Sequence, residues 1–218
     1  MDCTGSMDAY IDECRAKVVQ IAEQVEAKCR DKQTRVRVAF VGYRDFDVPK
    51  DQQVVVHSFG TPAACRTFVE GVKARGGDDG PEDVAGGLRA LLELPWESDK
   101  ARKCARVCVF IADAPAHGVA YHKAGMRDVH EALAENERLE PLMQAIGDKK
   151  IDFYVLRNLS AEADAATEIM ARKMQAGYNV STKRRNPFGT LELKGANVAN
   201  MLDTIVDAVT RSVDTYNN

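Results

Sequence analysis

The sequence predicts an α/β fold in which a mostly parallel, open sheet is covered by helices on both faces. Short apolar runs alternate along the chain with longer segments of helical periodicity, which is typical of strand-helix-strand units. The most apolar run, VCVFIA at 107–112, is continuous, as expected of a parallel strand buried on both faces. No internal repeat or low-complexity tract interrupts the alternation. Ligands of such sheets bind at the carboxyl ends of the strands.

Size and composition restrict the class of protein. The 218 residues include 30 Lys and Arg against 33 Asp and Glu, a net charge of −3, and 45% are hydrophobic. These values fit one large domain over residues 1–218 with a sizeable core. An isoelectric point near 5.9 argues against a nucleic-acid partner. No run approaches the roughly 18 apolar residues that cross a bilayer, so we expect no membrane insertion.

The first half of the chain begins with a long amphipathic segment whose apolar residues recur at steps of three or four. The predicted elements are a helix over 7–30, a strand over 35–43 and an edge strand over 53–59. Thr61 and Pro62 then supply the N-cap and first-turn proline of another helix, which we expect to end at Gly76 and Gly77.

The second half continues the alternation. Pro81 is predicted as the first residue of a helix whose Gly86-Gly87 pair costs about 1 kcal/mol per glycine, so a neighbouring backbone should pack closely there. The helix predicted after the fourth strand should close at Gly177. The remaining predicted elements are strands over 107–112, 151–156 and 188–193 and helices over 160–175 and 198–213.

Three polar loops should meet at the carboxyl edge of this sheet. The first carries Asp2, Thr4 and Ser6 at alternate positions, which project to one side of an extended loop. The second is the acidic loop GGDDGPED at 76–83, and the third carries Asp113 directly after the most apolar strand. Carboxylates and hydroxyls are hard oxygen donors that suit Mg²⁺ or Mn²⁺ rather than Zn²⁺. Capping of the following helices is the simpler explanation of the first two loops.

These loops resemble a known family. Residues 2–6 (DCTGS) resemble the D-x-[ST]-x-S loop of the metal-ion-dependent adhesion site in von Willebrand factor A domains. Residues 41–45 (VGYRD), 76–84 (GGDDGPEDV) and 111–118 (IADAPAHG) are similar, more narrowly, to the A domains that accompany alpha-type, myosin heavy chain kinase-like protein kinases. The resemblance implies a Rossmann-like sheet and a non-catalytic, protein-binding module that regulates or targets an alpha-kinase-like protein.

The resemblance also implies a ligand set for Mg²⁺ or Mn²⁺. The residues that match its first and last loops are Asp2, Thr4, Ser6 and Asp113. Many A domains place a threonine in the middle loop; here Asp79 is our candidate, and Glu82 competes for the same place. Arg44 and Asp45 would support the ligands, or form an internal ion pair. In the family, an acidic residue of a protein partner completes the coordination, so we expect a partner of that kind.

The family pattern differs at the start of the chain. In an A domain the first metal loop follows a central apolar strand, whereas here only Met1 precedes Asp2. Loss of a central strand would leave backbone groups of both neighbours unpaired. We therefore expect the sequence to lack a first strand that lies upstream of Met1, as a fragment or a mis-started product would.

Two other functions are compatible with the sequence. Asp2 before a helix, with a distant acidic loop, superficially suits a Mg²⁺-dependent phosphohydrolase with an aspartate nucleophile, although Thr4 stands where a second aspartate is wanted. A structural A-like domain with a non-functional metal site is the other alternative. His117, His122 and His130 match no common zinc spacing, and we interpret them as loop and surface residues.

The six cysteines bear on location. Cys14 and Cys29 fall on an apolar helix face, and Cys108 lies in an apolar strand, where a thiol behaves as a small hydrophobic group. Reduced, buried thiols favour a reducing compartment. We therefore expect a cytoplasmic protein, with an extracellular location as the alternative.

Overall fold

The computed structural model describes residues 1–29, 35–97, 104–133, 138–157, 160–184, 187–192 and 200–217. The helices are α1 (Asp8–Lys28), α2 (Lys50–Gln53), α3 (Pro62–Glu70), α4 (Val84–Glu93), α5 (Leu139–Asp148), α6 (Ala161–Val180) and α7 (Met201–Asn217). The strands are β1 (Val38–Tyr43), β2 (Val54–Gly60), β3 (Val107–Phe110), β4 (Asp152–Arg157) and β5 (Gly189–Glu192). Within these residues, every helix is too short or too polar to cross a membrane.

The strands form a parallel sheet and a separate antiparallel pair. β3, β4 and β5 are parallel in the order β3-β4-β5, with Val107 opposite Asp152. β1 and β2 pair antiparallel, with Tyr43 opposite Val54. The mixed α/β class and the parallel arrangement of the later strands are therefore confirmed, whereas one continuous open sheet is not.

Residues 1–3 lie between the two groups of strands. The Asp2 backbone N–H donates to the carbonyl of Ile111, just after β3, at 2.9 Å. On the other side, the Cys3 N–H donates to the carbonyl of Tyr43 at 2.8 Å, and the Met1 ammonium donates to the carbonyl of Val41 at 2.8 Å. This short extended segment thus ties β1 to β3 and brings the first polar loop to the carboxyl ends of both strands.

Helices pack on both faces of the parallel sheet because side chains of β4 alternate between them. Phe153 and Val155 join the core formed with α4, α5 and α6, and Tyr154 and Leu156 join the core formed with α7 and the start of α1. The inner residues are buried on both faces, which explains the near-continuous apolar character of the central strands.

Several element ends differ from the prediction. α3 ends at Glu70 instead of reaching the glycine pair, and the chain continues as a loop to Asp83. α4 begins at Val84 instead of Pro81 because the Asp83 carboxylate accepts the Gly86 N–H at 2.7 Å and caps the helix. The sequence did not predict α2 or α5. The predicted end residues Arg30, Leu193 and Val198 lie outside the described residues.

Two helical glycines allow close packing. A Cβ on Gly87 would lie 2.7 Å from the Tyr43 ring, so the packing there is close as expected, but the neighbour is a side chain and not the predicted backbone. Gly177 does not close a helix as predicted, since α6 continues to Val180. A Cβ there would lie 2.5 Å from the Glu140 backbone, so Gly177 allows α6 to pack against α5.

Candidate functional site

Backbone hydrogen bonds bring three polar loops together at the carboxyl ends of β1 and β3. The loop before α1 is tied to the loop after α3 by hydrogen bonds from Arg75 N–H to the Cys3 carbonyl, at 3.0 Å, and from Gly5 N–H to the Gly76 carbonyl, at 3.2 Å. The loop after β3 is joined to the same segment, because a further bond connects Glu82 N–H to the carbonyl of residue 115 at 2.9 Å. The sequence predicted this meeting of loops.

Asp2 is fully buried at the centre of these loops. Its Oδ1 accepts hydrogen bonds from the Thr4 backbone N–H at 2.9 Å and from the Thr4 hydroxyl at 2.7 Å, which fixes the turn. Its Oδ2 is buried without a hydrogen-bond partner among the described residues. Burial raises the pKa of Asp2 to about 7 from its usual 3.8, and the charge of Asp113 adds to the rise.

Glu82 lies against the first loop. Its side chain contacts the Thr4 hydroxyl, and the residue is 3% exposed. Burial, together with the charges of Asp2 and Asp45, raises the pKa of Glu82 from its usual 4.5 to about 10. Glu82 Oε2 is another buried oxygen for which the described part of the chain offers no hydrogen-bond partner. Of the two candidates in the middle loop, Glu82 and not Asp79 therefore lies beside Asp2 and Thr4.

Asp113 and Ser6 are the other two predicted ligands of the first and last loops. Asp113 follows β3 and is half-buried, close enough for its charge to raise the pKa of Asp2. Within the described ranges, Asp113 Oδ1 is a third buried oxygen without a hydrogen-bond partner. Ser6 is exposed and lies in the 3-10 turn Gly5–Met7 that leads into α1, two residues after Thr4.

Asp79 lies beside different residues. Its Oδ2 accepts the Val129 N–H at 2.6 Å, and its Oδ1 is buried without a partner among the residues described. One carboxylate oxygen of Asp79, one of Asp45 and one ring nitrogen of His117 lie within 4.8 Å of one another. In the described ranges, this is the only set of three His, Cys or acidic side chains so closely grouped, so Asp2, Glu82 and Asp113 are more widely spaced.

Arg44 and Asp45 do not pair with each other. The Arg44 guanidinium donates to the carbonyls of Gln52 at 2.6 Å and Lys73 at 2.8 Å, which holds the loop after α3 against the end of β1. Asp45 is fully buried and contacts His117 Nε2 through Oδ1 at 2.6 Å. Of the two alternatives for these residues, the internal ion pair is therefore wrong, and each residue contacts other groups.

The histidine interpretation was wrong for two residues. His117 and His122 lie in a loop but are buried, 3% and 6% exposed, and both contact the Asp128 carboxylate. Burial lowers the pKa of His117, but its hydrogen bonds with Asp45 and Asp128 outweigh that effect and raise the pKa above 6.5. Asp45 and His117 are 72 residues apart, so no local spacing could have predicted their contact.

These carboxyl groups give the site its chemistry. Buried carboxylates without partners are costly unless they are protonated or face a cation. The donor set beside Thr4 consists of oxygens only, which suits a hard divalent cation that keeps several waters. The wider spacing of its three carboxylates means that waters would bridge some of them to an ion there.

Comparison with known proteins shows a sequence relationship between this chain and part of a longer protein. No protein-family model matches the chain. Over 155 residues, 71% of the chain, the sequence is 33% identical to alpha-protein kinase vwkA of Dictyostelium discoideum, and the match covers 24% of that protein. The chain is thus homologous to part of an alpha-protein kinase and spans about a quarter of its length.

The fold is similar to that of a bacterial surface protein. The pilus adhesin SpaC from Lactobacillus rhamnosus GG matches with a TM-score of 0.61 over 96% of this chain and 29% of the adhesin. The sequence identity is 11%, so this similarity concerns the fold alone.

Proposed function

We propose that this chain is a von Willebrand factor A-type domain that binds Mg²⁺, or Mn²⁺, at its strand-end loops and recognises an acidic residue of a protein partner through the ion. One observation carries the proposal: Asp2, Glu82 and Asp113 each have a buried oxygen without a hydrogen-bond partner in the described chain. Native proteins satisfy nearly all buried polar atoms, so three such oxygens around one hydroxyl-lined loop favour a cation as the missing partner.

The proposed ligands follow the placement of the side chains. Thr4 and Ser6 would offer hydroxyl oxygens, and Asp2 would orient the Thr4 hydroxyl through the hydrogen bond at 2.7 Å. Glu82 is favoured over Asp79 in the middle loop because its side chain contacts Thr4 and interacts electrostatically with Asp2. Such a bound ion would supply positive charge to an incoming carboxylate.

The wide spacing of the carboxylates supports recognition of an acidic group. Ligation by hydroxyls and waters neutralises less of the ion's charge than direct ligation by carboxylates does, and so leaves it attractive to a partner's carboxylate. Because Ser6 is exposed, the partner's carboxylate would approach the ion from the side of Ser6. Glu82, as a carboxylate in place of the threonine common in the family, should weaken the attraction.

A binding role suits the relationship to the kinase better than a catalytic one. The chain matches a quarter of alpha-protein kinase vwkA, and we propose that it is a regulatory or targeting module of such a protein. Full burial of Asp2 disfavours its use as a nucleophile for phosphate esters. Hydrolysis of a chromogenic phosphate ester with Mg²⁺, abolished by Asp2→Asn, would contradict the binding role.

The thiols support a cytoplasmic location. Cys3, Cys14, Cys65 and Cys108 carry thiols instead of disulfides, and burial raises the pKa of each. Buried, protonated thiols persist in a reducing compartment.

The test of metal binding is thermal unfolding of the chelated protein with added Mg²⁺. We expect the melting temperature to rise with Mg²⁺ concentration, because a ligand of the native state stabilises it by mass action. Asp113→Asn should reduce the rise, and Asp148→Asn, far along the chain at the end of α5, should leave it unchanged. An unchanged melting temperature would favour a structural domain with a non-functional site.

A further inference from the structure

We propose that Asp45, Asp79 and His117 form a second cation site, distinct from the all-oxygen site beside Thr4, that takes a first-row transition ion such as Zn²⁺. One potential ligand atom from each residue lies within 4.8 Å of the other two. The three residues come from the loops after β1 and β3 and from the loop before α4, so an ion there would join three loops.

Two residues of this cluster carry an unpartnered carboxylate oxygen. Asp45 is 0% exposed, and its Oδ2 has no hydrogen-bond partner in the described ranges. The Oδ1 atom of Asp79 is also buried without a hydrogen-bond partner there. Asp45 Oδ1 lies 2.6 Å from His117 Nε2, a hydrogen-bond distance that requires a proton on one of these two atoms in the metal-free protein. A cation would replace that proton and provide a partner for both carboxylates.

His117 is held in the orientation that a metal ligand needs. Its Nδ1 lies 2.8 Å from Asp128 Oδ1, so an Nδ1–H that donates to this carboxylate leaves the Nε2 lone pair for an ion. The Asp128 carboxylate is fixed in turn by the Gly118 N–H at 2.8 Å. Phe46 stacks on the His117 ring with centroids 5.2 Å apart. Such carboxylate-histidine pairs orient the ligands of many metal sites.

The donor set separates this site from the first one. An imidazole nitrogen with two carboxylates suits Zn²⁺ and similar ions, whereas hydroxyls and carboxylates suit Mg²⁺. His130 Nε2 lies 3.7 Å from Asp45 Oδ2, from where it could join the coordination. Three protein ligands with an open position are typical of Zn²⁺ sites that also bind water or a partner group.

The two sites are neighbours but use different residues. The charges of both Asp2 and Asp45 act on the Glu82 carboxylate, so Glu82 is close to both sites. Because the two proposed ligand sets share no residue, removal of Asp79 should weaken binding of the transition ion far more than binding of Mg²⁺, and removal of Asp2 should do the reverse. This separation allows each proposal to fail without the other.

The test measures Zn²⁺ bound by the chelated chain in the presence of excess Mg²⁺, by equilibrium dialysis and elemental analysis. We expect one Zn²⁺ per chain, affinity reduced at least about tenfold in Asp79→Asn, and no change in the matched control Asp78→Asn. Asp2→Asn should retain Zn²⁺ while it loses stabilisation by Mg²⁺. Equal Zn²⁺ affinity in the wild type and Asp79→Asn, or no bound Zn²⁺, would overturn the second site.

A spectroscopic measurement identifies the ligand directly and excludes binding by the thiols. Correlation spectra of the imidazole nitrogens resolve the four histidines of the chain. Zn²⁺ should shift Nε2 of His117 and leave His57, on β2, unchanged. Zn²⁺ binding without a shift of His117 would overturn the proposal even if the stoichiometry were one.

Discussion

Replacement of Asp2 by asparagine should stabilise the metal-free protein at alkaline pH. Burial raises the pKa of Asp2 from 3.8 to about 7. The folded state therefore resists ionisation: the contribution of Asp2 to stability is fully present below pH 4 and is lost as the pH rises through 7. At about 1.4 kcal/mol per pKa unit, ionised Asp2 costs about 4 kcal/mol at pH 8.

The uncharged amide introduced by Asp2→Asn should restore part of the stability that ionised Asp2 costs at pH 8. Asparagine keeps an Oδ1 that can accept both hydrogen bonds from Thr4, and it removes the charge. Its Nδ2 would be a new buried donor that needs a partner, which offsets part of the gain. We therefore expect Asp2→Asn to raise the free energy of unfolding by about 2 kcal/mol at pH 8.

Urea unfolding in the presence of a chelator measures this effect. The gain should disappear at pH 5, where Asp2 of the wild type is protonated. At about 100 times the dissociation constant, Mg²⁺ should stabilise the wild type at pH 8 by about 2.7 kcal/mol and leave the variant unchanged. The control Asp8→Asn removes an exposed carboxylate from the first turn of α1 and should lose less than about 1 kcal/mol, with its Mg²⁺ response intact. Equal destabilisation by Asp2→Asn at both pH values would refute the reasoning.

Three further predictions concern pH and packing. Stabilisation by Mg²⁺ should be larger at pH 8 than at pH 5, because Asp2 must lose its proton to face a cation; equal melting shifts at both pH values would contradict this. Gly87→Ala should destabilise the protein by about 1–3 kcal/mol in urea unfolding, since the new methyl meets the Tyr43 ring at 2.7 Å, whereas Gly71→Ala at the exposed end of α3 should change stability by less than about 0.5 kcal/mol. Asp83→Ala should cost about 1 kcal/mol in the same measurement, because α4 loses its N-cap; no loss would mean that the bond to the Gly86 N–H contributes nothing.

Local sequence signals predicted much of the fold. Periodicity identified α1, and the continuous apolar run identified β3, since both depend on burial of neighbouring residues. Element ends depend on tertiary contacts and were missed more often. Gly177 was expected to stop α6, but its lack of a side chain serves the packing against Glu140 instead.

The sequence predicted the part of the candidate site that the ends of the strands position. It did not predict the contacts between side chains that are far apart in the sequence. The loops of Asp2 and Asp113 follow from the topology of the sheet. Asp79 and Glu82 are three residues apart in one loop, and only the path of that loop directs Glu82 toward Thr4 and Asp79 toward His117. The hydrogen bond of Asp79 with Val129 spans 50 residues, a separation at which sequence spacing carries no information.

Anomalous scattering from a crystal soaked in Mn²⁺ tests the central claim most directly. We expect a peak beside the Thr4 and Ser6 hydroxyls, linked to Asp2, Glu82 and Asp113 directly or through water, that disappears in Asp2→Asn. Absence of a peak at these side chains in a well-ordered, saturated crystal would contradict the metal-dependent recognition proposed for this chain.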